Sequence, residues 1–464
     1  MKTGLNGVFL LLLCMVTLTI QAQQKHRMTA KEAAEYARKN NILVKNALVD
    51  VQIQQQTNRE ITAAAYPQIN ASANTSYAPN ITIQTIPNFI ALGTYGVLAQ
   101  EGVVDRNGNA IKPPSDVGFI EAQFGTRFNT IAGVSLQQLL FEGQVFVGLQ
   151  ARRTSMEFAM KNVEVTEENI RANIYKIYYQ LAAGNTQLNI IDANIARLEK
   201  LLSDTRKLYE NGFAERLDID KLTVQLSNLQ TEKQKVVNSI ENGYLGLKLL
   251  MGMPVKDTLI LTDTVNYEEI RSGVLDATLY NYSDRVEYQY AELGKKLNEY
   301  NIKRYQLTYF PTVALSSNYN YLRQSNKFGF GGNWNPSSMI GLQISVPIFD
   351  GFARAARIQR ARLQLEQTQN RIEDLKRTID REVQQAVNNY TNALATLDNQ
   401  KRNMELAEKV YNQTKKKFEI GTGSQTEINN ANADLRVAQS SYISALYDAI
   451  IAKIDFLKAT GKLQ

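Results

Sequence analysis

Two periodicities divide this chain. Over long stretches the apolar residues recur at alternating steps of three and four, as in Leu188, Ile191, Ile195, Leu198, Leu202, Thr205 and Leu208, and again in Ile372, Leu375, Ile379, Val383, Val387, Tyr390, Leu394 and Leu397. Near-heptad seams of this kind predict helices packed side by side at shallow angles. The nine prolines respect the same stretches: none lies between Gln144 and Met253, and none follows Pro347. A proline costs a helix interior about 3 kcal/mol, so both stretches are free to be helical throughout. A continuous helix from Gln144 to Asn211 would be on the order of 100 Å long at 1.5 Å per residue, beyond the span of an ordinary globular domain.

Between the helical stretches the pattern switches to strict alternation. Gln68 to Tyr77 sets Ile69, Ala71, Ala73, Thr75 and Tyr77 against Gln68, Asn70, Ser72, Asn74 and Ser76. Thr312 to Tyr321 and Ile340 to Ile348 alternate in the same way, and Arg127 to Leu140 does so with Gln138 out of place on its apolar side. Strands are therefore predicted at about 67–77, 127–140, 312–321 and 339–348. An alternating strand of roughly ten residues fits a membrane barrel with one face on lipid and one on water. It fits equally a soluble antiparallel sheet with one buried face. The polar side carries Asn, Ser, Gln and Gly and almost no charge, which a water-filled lumen tolerates.

Each long helix is predicted to stop at a glycine and double back. Tyr209-Glu210-Asn211-Gly212-Phe213-Ala214 forms one turn and Phe418-Glu419-Ile420-Gly421-Thr422-Gly423-Ser424 the other. Glycine supplies the left-handed cap after a helix end, and Ser424 suits the start of the next helix. The halves then align: Gly212 with Gly421, Asp218 with Glu427, Leu250-Met251-Gly252 with Ala459-Thr460-Gly461, and Tyr66-Pro67 with Phe310-Pro311. Residues 29–254 and 276–464 are read as two copies of one helix–strand–strand–helix–helix unit joined by a segment at 255–275. The first copy carries an insertion, about 79–124, longer than a hairpin needs.

Composition narrows the chemistry. Lys2 followed by the apolar run Val8 to Thr19, with Ala22 before Gln23, predicts a secretory signal over 1–22, too short to span a bilayer. Lipid attachment at Cys14 is a rival reading, disfavoured by Leu13 where a small residue is expected. If Cys14 leaves with the signal, the mature chain has no cysteine and one histidine, His26. Zinc sites and histidine-dependent nucleophiles need more than that, so neither an enzyme nor any cofactor is expected. The formal charge of +7, or +6 without Lys2, is spread along helix faces among Glu and Gln, a solvated-face pattern rather than a nucleic-acid surface. No segment after the signal has the ~18 consecutive apolar residues of a membrane helix, so any membrane residence must be as strands. Four strands cannot close a barrel, and open edges cannot lie in lipid. Either the sheet lies outside the membrane or several chains share one barrel.

These elements resemble the TolC-like outer-membrane efflux family over nearly the whole mature chain. The resemblance rests on the duplicated plan, Ala65-Tyr66-Pro67 and Tyr309-Phe310-Pro311 entering strands, Pro347-Ile348-Phe349-Asp350-Gly351 leaving one, and the Gly421-Thr422 turn. The first copy of the exit motif, Leu139-Leu140-Phe141-Glu142-Gly143, lacks the proline. The resemblance implies a mainly α fold with membrane β: a homotrimer sharing a twelve-stranded outer-membrane β-barrel continuous with a twelve-helix periplasmic α-barrel. The segment between the halves would be the equatorial region. The implied function is the outer-membrane channel of a tripartite efflux or type I secretion system, working with a periplasmic adaptor and an inner-membrane pump. A periplasmic gate would include Glu427 and Asn430, with Asp218 in the first copy, where Asn430 departs from the family's acidic pattern. The adaptor would meet the tips Asn211, Gly212, Phe213 and Ala214, and Ile420, Gly421, Thr422 and Gly423. Alternatively, the chain is a structural coiled-coil scaffold or a passive porin of the cell envelope, and Glu427 and Asp218 are ordinary first-turn carboxylates facing a helix dipole.

Overall fold

A computed structural model describes residues 25–263, 267–271 and 280–463. In chain order the elements are β1 (Lys25–Met28), α1 (Ala30–Asn40), α2 (Ile42–Ala63), β2 (Gln68–Tyr77), β3 (Ile83–Pro87), α3 (Phe89–Gln100), β4 (Phe119–Gln123), β5 (Phe128–Phe141), α4 (Gly143–Glu210), α5 (Arg216–Met251), β6 (Thr258–Leu261), α6 (Tyr267–Arg271), α7 (Val286–Gln306), β7 (Thr312–Ser325), β8 (Asn335–Ser345), α8 (Ala353–Glu419) and α9 (Gln425–Ala459). They fall into two compact units. One gathers the described residues of Met1–Gln56, Ala151–Glu299 and Ala361–Gln464, the other Thr57–Gln150 and Tyr300–Arg360. The units cut across the two halves of the sequence, each half giving helices to one and strands to the other. The expected signal at 1–22, and part of the expected equatorial segment at 255–275, lie outside the described residues.

The strand unit is a four-stranded antiparallel sheet in the order β2-β5-β7-β8. Its register carries the alternation across all strands. Ile69, Leu136, Ser317 and Ile340 stand in one row, with Leu315 beside Leu342 and Val313 beside Ile344 in neighbouring rows. The adjacent row is Gln68, Gln137, Ser316 and Gly341, then Asn70, Ser135, Asn318 and Met339. Side chains of alternate residues point to opposite faces, so one face is mostly apolar and the other mostly amide and hydroxyl. The apolar face is not covered: Ile69, Val134, Ile340, Leu342 and Ile344 are all exposed. Gln138, the misplaced polar residue, sits beside a register shift between Leu139 and Phe141 and donates its Nε2 to the carbonyls of Ala65 and Leu139.

Three strand boundaries differ from the sequence expectation, the first being the end of β7, which runs on to Ser325 instead of stopping at about 321. The last strand begins at Asn335 and ends at Ser345, rather than running from about 339 to 348. Asn335, Pro336, Ser337 and Ser338 give no apolar alternation to announce the start, and Pro347 cannot extend the ladder because it has no N–H. The 79–124 insertion also contains its own structure, the antiparallel pair β3–β4 and the helix α3. After β8 the exit motif folds around Arg354, which is nearly buried. Asp350 Oδ2 accepts from the Arg354 backbone N–H at 2.9 Å and from Nε at 3.0 Å, Arg354 Nη1 donates to the Pro347 carbonyl at 3.1 Å, and the guanidinium lies 4.8 Å above the Tyr309 ring.

In the helical unit α5 and α9 end in the same way. Gly252 and Gly461 both hold left-handed φ, 69° and 70°. Each lies against backbone: a Cβ on Gly252 would come 2.4 Å from the Asn40 carbonyl oxygen, and one on Gly461 2.6 Å from that of Asp284. Beside each glycine a buried side chain ties off the helix end. Asn41 Nδ2 donates to Leu250 O at 2.6 Å, and Arg285 Nη1 donates to Ala459 O at 3.0 Å. Helix termini leave carbonyls without intrahelical partners, and these two donors satisfy one each. Asn41 also accepts from the Leu43 N–H, starting α2. Arg285 also pairs with Glu287 and Glu382. The connecting segment is anchored by tyrosines. Tyr178, fully buried, donates its hydroxyl to Met28 O and accepts from the N–H groups of Thr262 and Asp263, tying the parallel pair β1–β6 to α4. Tyr390 on α8 donates to Ile270 O, and Tyr267 donates to Asp398.

Gly212 has φ 75° with no neighbour within 4 Å of an added Cβ, so Gly212→Ala should cost about 1–2 kcal/mol, the left-handed penalty alone. Gly252→Ala, which adds the collision with Asn40, should lower the thermal midpoint in detergent by clearly more; equal losses would contradict the close approach. Near Arg285, Glu168 is buried and its Oε2 has no hydrogen-bond partner among the described residues. Burial, aided by the Glu287 charge and opposed by Arg285, raises its pKa. A raised folded-state value means the ionised form is disfavoured in the fold. The penalty is complete above the folded pKa and absent below the unfolded one. Glu168→Gln should therefore raise the melting temperature at neutral pH, with the gain shrinking as pH falls into the carboxylate range.

Candidate functional site: the glycine turns and the helices they start

The two turns are built on one plan. At the first, the Gly212 N–H donates to Tyr209 O at 3.0 Å and the Phe213 N–H to Leu208 O at 2.8 Å. At the second, the Gly421 N–H donates to Phe418 O at 3.0 Å and the Thr422 N–H to Lys417 O at 2.9 Å. Both glycines are left-handed, at 75° and 76°, the geometry of a helix closed by a Schellman-type cap. Each turn displays one large apolar side chain: Phe213 is 81% exposed and Ile420 74%. Asn211 folds back onto α4, its Nδ2 donating to Lys207 O at 2.7 Å. Ala214 and Gly423 are half-buried.

The helices that follow start differently. Ser424 caps α9 with a reciprocal pair, in which the Glu427 N–H donates to Ser424 Oγ at 3.1 Å and the Ser424 N–H to Glu427 Oε2 at 3.3 Å. This is a capping box, which satisfies two orphan donors at once. At α5 the cap position is Glu215, with no side-chain cap bond, and Asp218 stands where Glu427 stands in α9, three residues past the cap. Glu427 and Asn430 are exposed and Asp218 is half-buried. The spacing of three places Glu427 and Asn430 on one face of α9.

Between the hairpin ends lies a cavity of about 460 Å³ that includes Leu208, Asn211, Phe213, Tyr411, Phe418 and Ile428 in its lining. Its rim is mostly basic: Arg197, Lys200, Lys207 and Lys415, against Asp204 and Glu419. Arg197 stacks over the Tyr411 ring at 4.8 Å, and burial raises the Tyr411 pKa. Along the chain these cations read as parts of solvated helix faces. Their convergence depends on two helices far apart in the chain, α4 and α8, and only the heptad seam Leu198, Leu202, Thr205 hinted at it.

Comparison with known proteins places this geometry. The family model described as "Outer membrane efflux protein" matches residues 287–462. The chain is 21% identical over 337 residues to the outer membrane protein TolC of Vibrio cholerae, covering 72% of this chain and 76% of that one. It is 18% identical over 341 residues to the proteases secretion protein PrtF of Dickeya chrysanthemi, covering 71% of each. Among solved structures, CusC, described as forming a transmembrane channel, superposes with a TM-score of 0.74 at 17% identity, over 93% of this chain and 92% of that chain. The fold is that of an outer-membrane efflux channel subunit. The chain is similar to the TolC-like outer membrane efflux proteins, in its second half by the family model and over most of its length by sequence and fold.

Ser424→Ala removes the cap acceptor and should destabilise the protein by about 1 kcal/mol. Glu427→Gln keeps a side chain able to accept from the Ser424 N–H and should change stability by only a few tenths. Denaturant midpoints of the two variants, measured side by side, check the ranking.

Proposed function

We propose that this protein is the outer-membrane channel of a tripartite efflux or type I secretion system, acting as a homotrimer. The observation that carries the proposal is the four-stranded sheet, whose apolar face is exposed and whose edge strands β2 and β8 have no strand beyond them among the described residues. Hydrocarbon offers no water to satisfy those edge N–H and C=O groups. Sister sheets supply the missing partners, and three copies of four strands close a barrel of twelve, within the range of membrane barrels. The amide and hydroxyl face then lines a wet lumen.

The glycine turns are the candidate adaptor footprint, each offering accessible backbone and one apolar side chain, Phe213 or Ile420. Glu427, with Asn430 on the same face and Asp218 at the equivalent place in the first half, is the candidate gate. A threefold axis would bring three Glu427 carboxylates into one ring, which favours cations. The 79–124 insertion, with Phe89, Ile90, Leu92 and Val97 exposed on and beside α3, is the candidate extracellular shield. The energy for transport would come from the inner-membrane pump. Reconstituted in planar bilayers, the mature protein should form a cation-preferring channel, and Glu427→Gln should lower the cation-to-anion permeability ratio severalfold without loss of assembly. A water-soluble monomer needing no detergent would overturn the proposal, and an unchanged ratio would remove Glu427 from the gate.

A further inference from the structure

The cavity beside the turns separates charge from apolar surface. Leu201, Leu208, Tyr411, Phe418 and Ile428 give it an apolar lining, and Leu201, Tyr411 and Ile428 are buried. Around them Arg197, Lys200, Lys207 and Lys415 face only Asp204 and Glu419, an excess of two positive charges. The two acids do not use up the cations. Lys207 stands 4.0 Å from Asp204 and Lys415 3.7 Å from Glu419, each pair within one helix and partly exposed, and such contacts contribute little. Among the described residues no ion pair engages Arg197 or Lys200. Arg197 is moreover a fixed donor. Its guanidinium stacks 4.8 Å above the Tyr411 ring, yet its Nη1 is buried with no hydrogen-bond partner among the described residues. An unpaired buried donor is costly, and an acceptor brought to that guanidinium would offset the cost.

We propose that this cavity binds a small amphipathic organic anion, an aryl or branched alkyl body carrying a carboxylate, sulfonate or phosphate group. The body lies on the apolar lining, and the acid group is held by Arg197 and Lys200. These two are three residues apart on α4 and therefore share a face. A guanidinium takes a planar or tetrahedral oxyanion through two parallel hydrogen bonds, and Lys415 adds a cation from α8. The volume of about 460 Å³ falls in the range of small-molecule sites. It has room for roughly one turn of helix, too little for a folded partner. The charge excess disfavours a neutral occupant as strongly as the apolar lining disfavours an inorganic ion. The walls come from α4 in the first hairpin and from α8 and α9 in the second, so an occupant ties the two hairpins together beside their turns. The site needs one chain and does not depend on the channel reading.

The test is equilibrium dialysis of naphthalene-1-sulfonate against the mature protein in lipid nanodiscs, with uptake by empty nanodiscs subtracted. Binding should saturate at one molecule per chain. Arg197→Gln should weaken it about tenfold, as expected for losing a charged hydrogen-bonding group. The neutral analogue naphthalene-1-methanol should bind more weakly than the sulfonate by a similar factor. Asp204→Asn and Glu419→Gln remove the opposing charges and should tighten binding severalfold, a gain that damage to the fold cannot produce. Equal binding of sulfonate and alcohol, or no gain from the two acid variants, overturns the proposal. An acidic leucine-containing peptide that binds more tightly than the sulfonate reassigns the site to a protein segment and overturns it too. The anion could be a ligand that stays or cargo in passage, and potassium current through the reconstituted protein separates them. A resident ligand lowers the current, whereas cargo carries current of its own. Either effect upholds the site if Arg197→Gln needs about tenfold more sulfonate to show it, and an unchanged requirement overturns it. A bilayer with no current at all sinks the channel reading and leaves the dialysis result standing.

Discussion

Backbone hydrogen bonds that one chain cannot complete govern this structure. Four strands pair with one another through three ladders, and the outer sides of β2 and β8 meet no further strand among the described residues. In water such edges are hydrated. Against an uncovered apolar face built from Ile69, Leu136, Leu315, Leu342 and Ile344, they have no such recourse once that face meets lipid. The demand for partners therefore originates in the strand unit. The helical unit, by contrast, has several buried clusters of its own, such as the one joining Ile191, Leu198 and Leu222 to Ile428 and Leu435.

That helical unit solves its own end problem twice with different residues. Asn41 and Arg285 reach equivalent carbonyls, at Leu250 and Ala459, beside equivalent glycines. The neutral amide also starts the next helix, whereas the guanidinium is held between two carboxylates. A buried charge needs such company, because its desolvation is offset only by close, hydrogen-bonded partners. Glu168 nearby has an orphaned oxygen, and this is where the two solutions differ in cost: the first half satisfies the position without charge, the second with a charge and its attendants.

The legible part of the fold was written in periodicity. The heptad seams, the proline-free stretches and the glycine turns gave α4, α5, α8 and α9 nearly to the residue, and alternation gave the four strands of the main sheet. What escaped has physical reasons. Lys25 to Met28 shows no alternation, and its strand exists because a partner more than two hundred residues away and the Tyr178 hydroxyl hold it. The helix Phe89–Gln100 is apolar on every side, so no helical period marks it. The start of β8 is Asn, Pro and Ser, set by pairing with β7 rather than by its own pattern. At the candidate site the turns and their carboxylates were readable from single residues. The basic rim around Tyr411 was not, because it is assembled from helices whose proximity no local pattern encodes.

The capping box at Ser424 has a mechanical consequence. Glu427 is held by the backbone of the residue three before it, so its carboxylate cannot swing aside without loosening the first turn of α9. Were Glu427 to line the proposed gate, widening it would have to displace the start of the helix, turn and cap together, as a solid piece. Asp218 is not tethered in this way, since Glu215 offers no side-chain cap, and its carboxylate is at liberty to adjust where its counterpart is not. The two hairpin ends, so alike in backbone, would then differ in stiffness at the start of the helix that follows each turn.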